Sequence, residues 1–301
     1  MTRQGGRRKM ITVAIVVRNG GKTISRTLDS IFSGQLRPDE VLIIDGLSED
    51  NTLEVVKSYT LNYDNIRVID NPQRKIAPGR NIAVKEAWGD VIAYTDADCV
   101  VDRKWLFNIS KRFEEDPTLA GCGGRMLPLP PHNELEKFAG KVFLKEIMQY
   151  DNRLRYCSRL SVAGALITAN SAYRRDVLLE VGGFDEWFGN YGEDIDLYWR
   201  LIKSGYKLLY DPDIVVYHRF PQTLGKFLKK HFGFGIASSK LTKKHLSRMC
   251  VDWMLYHKLF SDLWFLLSLR GSKDKVWGIL QKCTHIMGKI YGSLRAGVVN
   301  L

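Results

Sequence analysis

Apolar positions fall into two alternating rhythms along residues 11–95. Ile11–Val17 is a continuous β-branched run, the pattern of a strand buried on both faces. Ile24, Leu28, Ile31 and Phe32 then recur at the spacing of one helix face. Residues 41–45 form the next apolar run, which Gly46 ends, and residues 53–59 return to helical spacing. A strand over 66–69, a helix over 79–88 and a strand at Val91–Thr95 continue the alternation. Strands and helices alternating on this scale predict βαβ units and a parallel sheet. Right-handed crossovers put the C-terminal ends of such strands on one edge, where open α/β sheets take their ligands.

Beyond residue 100 the rhythm changes. A helix is predicted over 105–113, a Gly-rich segment closed by Pro128, Pro130 and Pro131 follows, and a longer helix covers 133–154. Residues 166–173 read as a strand leading into a short helix that Gly182-Gly183 terminates. An amphipathic helix over 194–204 precedes short strands at 206–210 and 214–217. From Leu224 onward basic residues interleave with Phe, Leu and Trp at helical spacing.

Of 301 residues, 45% are hydrophobic and 26% charged, which excludes wholesale disorder and allows a sizeable core. The five cysteines are scattered without a CxxC pair, arguing against a zinc ribbon or disulfide scaffold and for a reducing compartment. Charge changes the picture more. Residues 222–301 carry 14 Lys and Arg against 3 acids, whereas 1–221 carry 31 against 30. The sequence therefore divides near Pro221 into a nearly neutral domain, 1–221, and a basic amphipathic helical region, 222–301. Such asymmetry points to an anionic partner, phospholipid or nucleic acid. The run after MTRQGGRRKM is broken by Arg18 and Asn19 and reads as a strand, not a signal core. No apolar stretch reaches the length of about 18 residues that spanning requires; the nearest, 253–269, contains His257, Lys258 and Asp262.

Asp96 and Asp98 follow an apolar strand at i, i+2 spacing, which aims both side chains the same way if the strand persists. Two close carboxylates repel unless a cation lies between them, and Mg²⁺ or Mn²⁺ fits oxygen ligands with positions left for phosphate. Asp45 ends an earlier strand on the same edge and is open to two readings, acceptor for a base or ribose, or turn residue. Glu193, Asp194 and Asp196 open a helix: either macrodipole partners or, for one of them, a general base. His218 ends a strand and is either structural or a further metal ligand. Arg80 follows Pro78-Gly79 at a helix start that suits phosphate, or is a surface cation. The sequence has no GxGxxG, no GxxxxGK[ST] and no nucleophile elbow.

Taken in order, TVAIVVRNGGKTISRTLDSI, VLIIDGLSEDNT, PGRNIAVKEAWGDVIAYTDADC, ITANSAYRRDVLLEVGGFDE, GEDIDLYWRLIKSGYKLLYDP and VVYH resemble a family 2 glycosyltransferase of the GT-A fold. The resemblance covers about residues 10–220. It is nearest the membrane-associated enzymes of exopolysaccharide and lipid-linked glycan assembly. It implies an α/β fold with a Rossmann-like mixed sheet. It implies that Asp45 contacts the donor base, that Val16 and Arg18 touch the nucleotide at the first strand's end, and that Arg80 lies near it. Asp96, Ala97 and Asp98 match the DXD motif that binds metal and nucleotide sugar, and His218 a histidine near that metal. Asp194 matches the catalytic base, with Glu193 beside it near the acceptor. The family often has Pro and Thr where Val16 and Val17 stand, and a second Asp where Gly46 stands.

The activity so implied is inverting transfer, dependent on Mn²⁺ or Mg²⁺, from a nucleotide sugar, UDP-linked by preference. The acceptor is a hydroxyl or phosphate group, on a polyprenyl-linked glycan or polysaccharide precursor. Residues 222–270 read as a basic, aromatic-bearing surface for an anionic membrane, with 263–269 as a short apolar wedge. The alternative is a helical lid with solvated lysines. The expected place is cytoplasmic, at the inner face of the cell membrane. Two other readings compete. A sugar-1-phosphate nucleotidyltransferase would need a Gly-rich start that is missing after Val17, and a nucleic-acid-binding protein would use the basic tail but leave Asp96 and Asp98 idle. No nucleic-acid partner is expected.

Overall fold

A computed structural model describes residues 9–148, 152–162, 164–246, 249–250, 257, 260–261 and 273–300. Strands β1 (Ile11–Val17), β2 (Glu40–Asp45), β3 (Ile66–Asp70) and β4 (Val91–Thr95) pair in parallel in the order β3-β2-β1-β4. Helices α1 (Ile24–Phe32), α2 (Thr52–Thr60) and α3 (Ile76–Glu86) connect them. α3 packs on β1 and β2, so their apolar runs are buried from Ile11 to Ile15 and from Val41 to Ile44. The strand–helix alternation expected over residues 11–95 is present, and the strand ends share one edge.

The chain continues through β5 (Cys99–Val101), α4 (Trp105–Glu115), β6 (Leu119–Pro128), α5 (Glu134–Phe143), β7 (Arg155–Tyr156) and β8 (Asn170–Arg174). It then forms α6 (Arg175–Glu180), α7 (Glu193–Lys203) and β9 (Lys207–His218). These strands extend the sheet as β4-β8-β6-β9-β5. β8 runs antiparallel to both neighbours, β6 and β9 are parallel, and β5 returns antiparallel to β9. The result is a nine-stranded mixed sheet.

Five expectations shift, the first being the strand expected over 166–173, which begins only at Asn170. The Gly-rich segment is strand β6, whose alternation Gly121, Gly123 and Gly124 hide. A Cβ on Gly121 would lie 2.4 Å from the Tyr173 ring, and one on Gly124 2.1 Å from the Ile214 carbonyl oxygen, so these glycines mark close approach. The expected strands 206–210 and 214–217 are one bulged strand, its register with β6 jumping from Gly124↔Asp211 to Arg125↔Val215. α3 begins at Ile76, because Pro78 is tolerated in a first turn. The helix expected over 133–154 is α5 followed by a π-helical turn, Leu144–Met148, and residues 152–154 are not helical.

Two compact units divide the chain, one of 1–129, 143–189 and 193–219, the other of 130–142, 190–192 and 220–301. The first holds the nine-stranded sheet. The second contains α5, α8 (Leu224–His245) and α9 (Lys273–Ala296), with β10 (Met249–Cys250) and β11 (Val299–Asn300). The expected apolar wedge 263–269 lies outside the described residues. Among the described residues, no helix is long and apolar enough to cross a membrane.

Candidate active site

Strand β4 ends at Thr95, so Asp96 and Asp98 sit on a tight turn into β5 instead of on an extended strand. The turn is closed by the Cys99 backbone N–H donating to the Asp96 carbonyl at 3.1 Å. Antiparallel pairing sets Cys99 opposite His218, the last residue of β9. This register brings the histidine to the aspartates: His218 Nε2 lies 3.6 Å from Asp98 Oδ1. Donor atoms of Asp96, Asp98, Cys99 and His218 all fall within 4.8 Å of one another. Ala97, between the aspartates, is buried at 9% exposure. The Cys99 thiol is pushed well above its ordinary value by burial, and Asp98 and Asp96 push it further, so it stays protonated. Two carboxylates and an imidazole form a hard-cation set that fits Mn²⁺ or Mg²⁺.

Arg80 lies in the second turn of α3, beyond the N-terminal N–H groups. One of those, on Ala77, already donates to the Gly189 carbonyl at 2.9 Å. The Arg80 side chain is 7% exposed and donates from Nη1 to Glu193 Oε1, while its Nη2 lies 3.8 Å from Asp96 Oδ1. The guanidinium also sits 5.6 Å from the Phe184 ring centroid. Burial opposes its charge, but Glu193, Asp96 and Asp194 outweigh that and hold it protonated. Arg80 therefore ties the aspartate turn to the first residue of α7.

Glu193 and Asp194 lead α7 after Gly189 and Gly192, both in the left-handed region at φ +74° and +88°. Glu193 is 3% exposed, and its Oε2 is buried with no hydrogen-bond partner among the described residues. Burial raises its pKa to about 7, against the opposing pull of Arg80. Asp194 is half-buried, its Oδ1 accepting from the Ile195 N–H at 2.8 Å. The third acid, Asp196, is fully buried and paired with Arg200 at 2.8 Å, an internal brace.

Asp45 ends β2 with no exposure, and both carboxylate oxygens are engaged by Ser48, one from the hydroxyl at 2.5 Å and one from the N–H at 2.8 Å. It shapes the turn that follows β2. Gly46 lies beneath Arg18: a Cβ there would come within 3.1 Å of the Arg18 Cβ. Arg18 is 3.6 Å from Glu49, and Val16 packs over Gly79, where an added Cβ would approach Val16 Cγ1 to 2.7 Å. The structure thus gathers Asp96, Asp98 and His218, links Arg80 to Glu193, and keeps Val16, Arg18 and Asp45 on neighbouring strand ends. Sequence reading missed Ser48 as a member of this edge, although the D-x-x-S spacing of a turn signalled it. Cys99 follows Asp98 directly in the chain, whereas the cross-strand register that sets His218 opposite it has no local signal.

The family model described as "Glycosyl transferase family 2" matches residues 12–182, over half of the chain. The chain belongs to that family. Among curated relatives, a poly-beta-1,6-N-acetyl-D-glucosamine synthase of Staphylococcus aureus is 24% identical over 269 residues, covering 86% of this chain and 63% of that protein. The synthase of the same name from Staphylococcus epidermidis is 26% identical over 224 residues, covering 73% and 52%. This family 2 glycosyltransferase thus spans less than two thirds of the relatives' length. Among solved structures, a Pyrobaculum calidifontis mannosyltransferase in complex with GDP-Man and Mn²⁺ superposes with TM-score 0.54 at 19% identity, over 96% of this chain and 74% of that one. GalNAc-T7 with UDP, GalNAc and Mn²⁺ superposes with TM-score 0.59 at 18% identity, over 95% and 56%. Both show the shared fold, and the mixed sheet of this glycosyltransferase is that of the GT-A class.

Proposed function

We propose that this glycosyltransferase moves a sugar, with inversion, from a nucleoside diphosphate to an acceptor hydroxyl. The observation that carries the reading is the convergence of Asp96, Asp98 and His218 at the sheet edge, with Asp194 opening a helix tied there through Arg80 and Glu193. Asp96, Asp98 and His218 are the residues that would hold Mn²⁺ or Mg²⁺. Such an ion supplies positive charge to the departing diphosphate. Val16, Arg18, Ala97 and Asp45 shape the donor side, Asp45 through its turn with Ser48. Asp194 takes the acceptor proton, the acceptor oxygen bonds to the anomeric carbon, and the bond to the diphosphate breaks. Arg80 and Glu193 position these acids, since each is buried against the other.

The acceptor we assign is a polyprenyl-linked glycan or polysaccharide precursor at the inner face of the cell membrane. The relatives' names support the polysaccharide part of this assignment, and the cationic second unit supports the membrane part. The test is a scan of nucleotide sugars, UDP-linked first, by thermal shift with and without Mn²⁺. The expected result is stabilisation by one donor class that needs the metal and is lost in Asp98→Asn and His218→Ala. At a hundredfold excess over Kd the shift corresponds to about 2.7 kcal/mol. Donor binding indifferent to metal and to both variants would overturn the reading.

A further inference from the structure

Helix α9 is amphipathic the wrong way round for a protein interior. Its buried positions are small or polar, among them Gly278, Gln281, Lys282, Gly288, Gly292 and Ser293, with no large apolar side chain. They pack on α8 by backbone approach: a Cβ on Gly235 would lie 2.2 Å from the His285 carbonyl oxygen, and one on Gly288 2.2 Å from that of Phe232. Ser239 Oγ donates to the Lys289 carbonyl at 2.9 Å across this seam. The apolar residues are outside. Val276, Met287, Ile290 and Leu294 are 41%, 61%, 44% and 81% exposed, and they recur at steps that keep one helix face. Exposed Tyr291 flanks the stripe, with the Arg295 guanidinium 5.2 Å from its ring centroid.

α8 does not share this pattern. Phe227 and Leu241 are buried, and Phe232 and Phe234 meet Tyr291 and Tyr191 at 5.8 and 5.6 Å. The aromatic residues of α8 thus pack within the second unit, and among the described residues the exposed apolar stripe belongs to α9. Exposed cations stand on the same two helices: Lys226, Lys229, Lys243 and Lys244 on α8, and Lys273 and Arg295 on α9. Residues 222–301 carry 14 basic side chains against 3 acidic ones, so a second copy of this chain would bring like charge against like. An anionic bilayer satisfies both the apolar stripe and the charge. A stripe from Val276 to Leu294 is about 27 Å long at 1.5 Å per residue, and suits a helix lying in the plane of the interface.

We infer that the Val276–Met287–Ile290–Leu294 face of α9 lies in the headgroup and acyl boundary of an anionic membrane. This rests on the proposed lipid-borne acceptor for its purpose and on the helix itself for its evidence. The test is flotation of the full chain with vesicles of phosphatidylcholine, with and without phosphatidylglycerol. The wild type should float with the anionic vesicles and less so at high salt. Met287→Gln with Leu294→Gln, both at exposed positions, should weaken partition by roughly a hundredfold, given the apolar burial lost, and leave the melting temperature unchanged. Two results overturn the proposal: a wild type that ignores anionic vesicles, or a double variant that floats as well as the wild type. A wild type that is instead a dimer, dissociated by the same variant, assigns the face to a second copy. Metal-dependent donor binding is read in parallel. Its survival when flotation fails sinks the membrane face alone, and its absence sinks the metal-dependent donor reading alone.

Discussion

Arg80 and Glu193 show how a single buried pair governs the surrounding acids. Removing Arg80 leaves the Glu193 carboxyl buried without its partner, which costs about 1–3 kcal/mol. Arg80→Met should therefore lower the melting temperature by several degrees or more, and adding Glu193→Gln should recover much of the loss, as read from a double-mutant cycle of thermal melts. The Glu193 carboxyl, raised by burial to about 7 from 4.5, binds its proton more tightly in the folded chain than in the unfolded one. Its contribution to stability therefore falls as pH rises between those two values. Melts across this window should show a decline in the wild type that Glu193→Gln lacks. Asp194, less buried and next in sequence, carries the opposite expectation. Asp194→Asn should reduce transfer by roughly 10²–10⁴-fold or more while donor binding, measured by titration, stays intact. A parallel loss of donor affinity would make the residue structural.

At the scale of elements, the site depends on a bulge. β9 reaches His218 only because its register with β6 jumps between Gly124 and Arg125. Gly124→Ala would push a Cβ to 2.1 Å from the Ile214 carbonyl oxygen and 2.3 Å from that of Asp211, both backbone atoms. The expected outcome is a cost of about 1–3 kcal/mol and a weakened response to Mn²⁺, checked by melts with and without the ion. Elements whose periodicity was uninterrupted were legible in the sequence: β1 to β4 and α1 to α3 follow from apolar spacing, and Asp96 and Asp98 from their place after β4. β6 was not, because its glycines erase alternation, and β9 was not, because Pro212 at the bulge reads as a break. The pairing of Cys99 with His218 and the burial of Glu193 against Arg80 are tertiary facts. No local pattern carries either contact.

For the molecule as a whole, charge was the property most plainly visible beforehand and the one whose placement most needed coordinates. The sequence put a cationic surface in the last eighty residues, but its apolar counterpart lies on α9, where spacing alone does not say which face is turned inward. Long-range order bears also on how the site is assembled. Both aspartates belong to a turn early in the chain, whereas Glu193, Asp194 and His218 arrive late and lie beyond residues 12–182 of the family match. A ribosome-borne chain therefore presents both aspartates, with Arg80 already made, long before the imidazole and the acids of α7 have been synthesised. On the proposed reading the reactive centre is finished by the last strand of the sheet to emerge, and a chain cut short before His218 is unarmed.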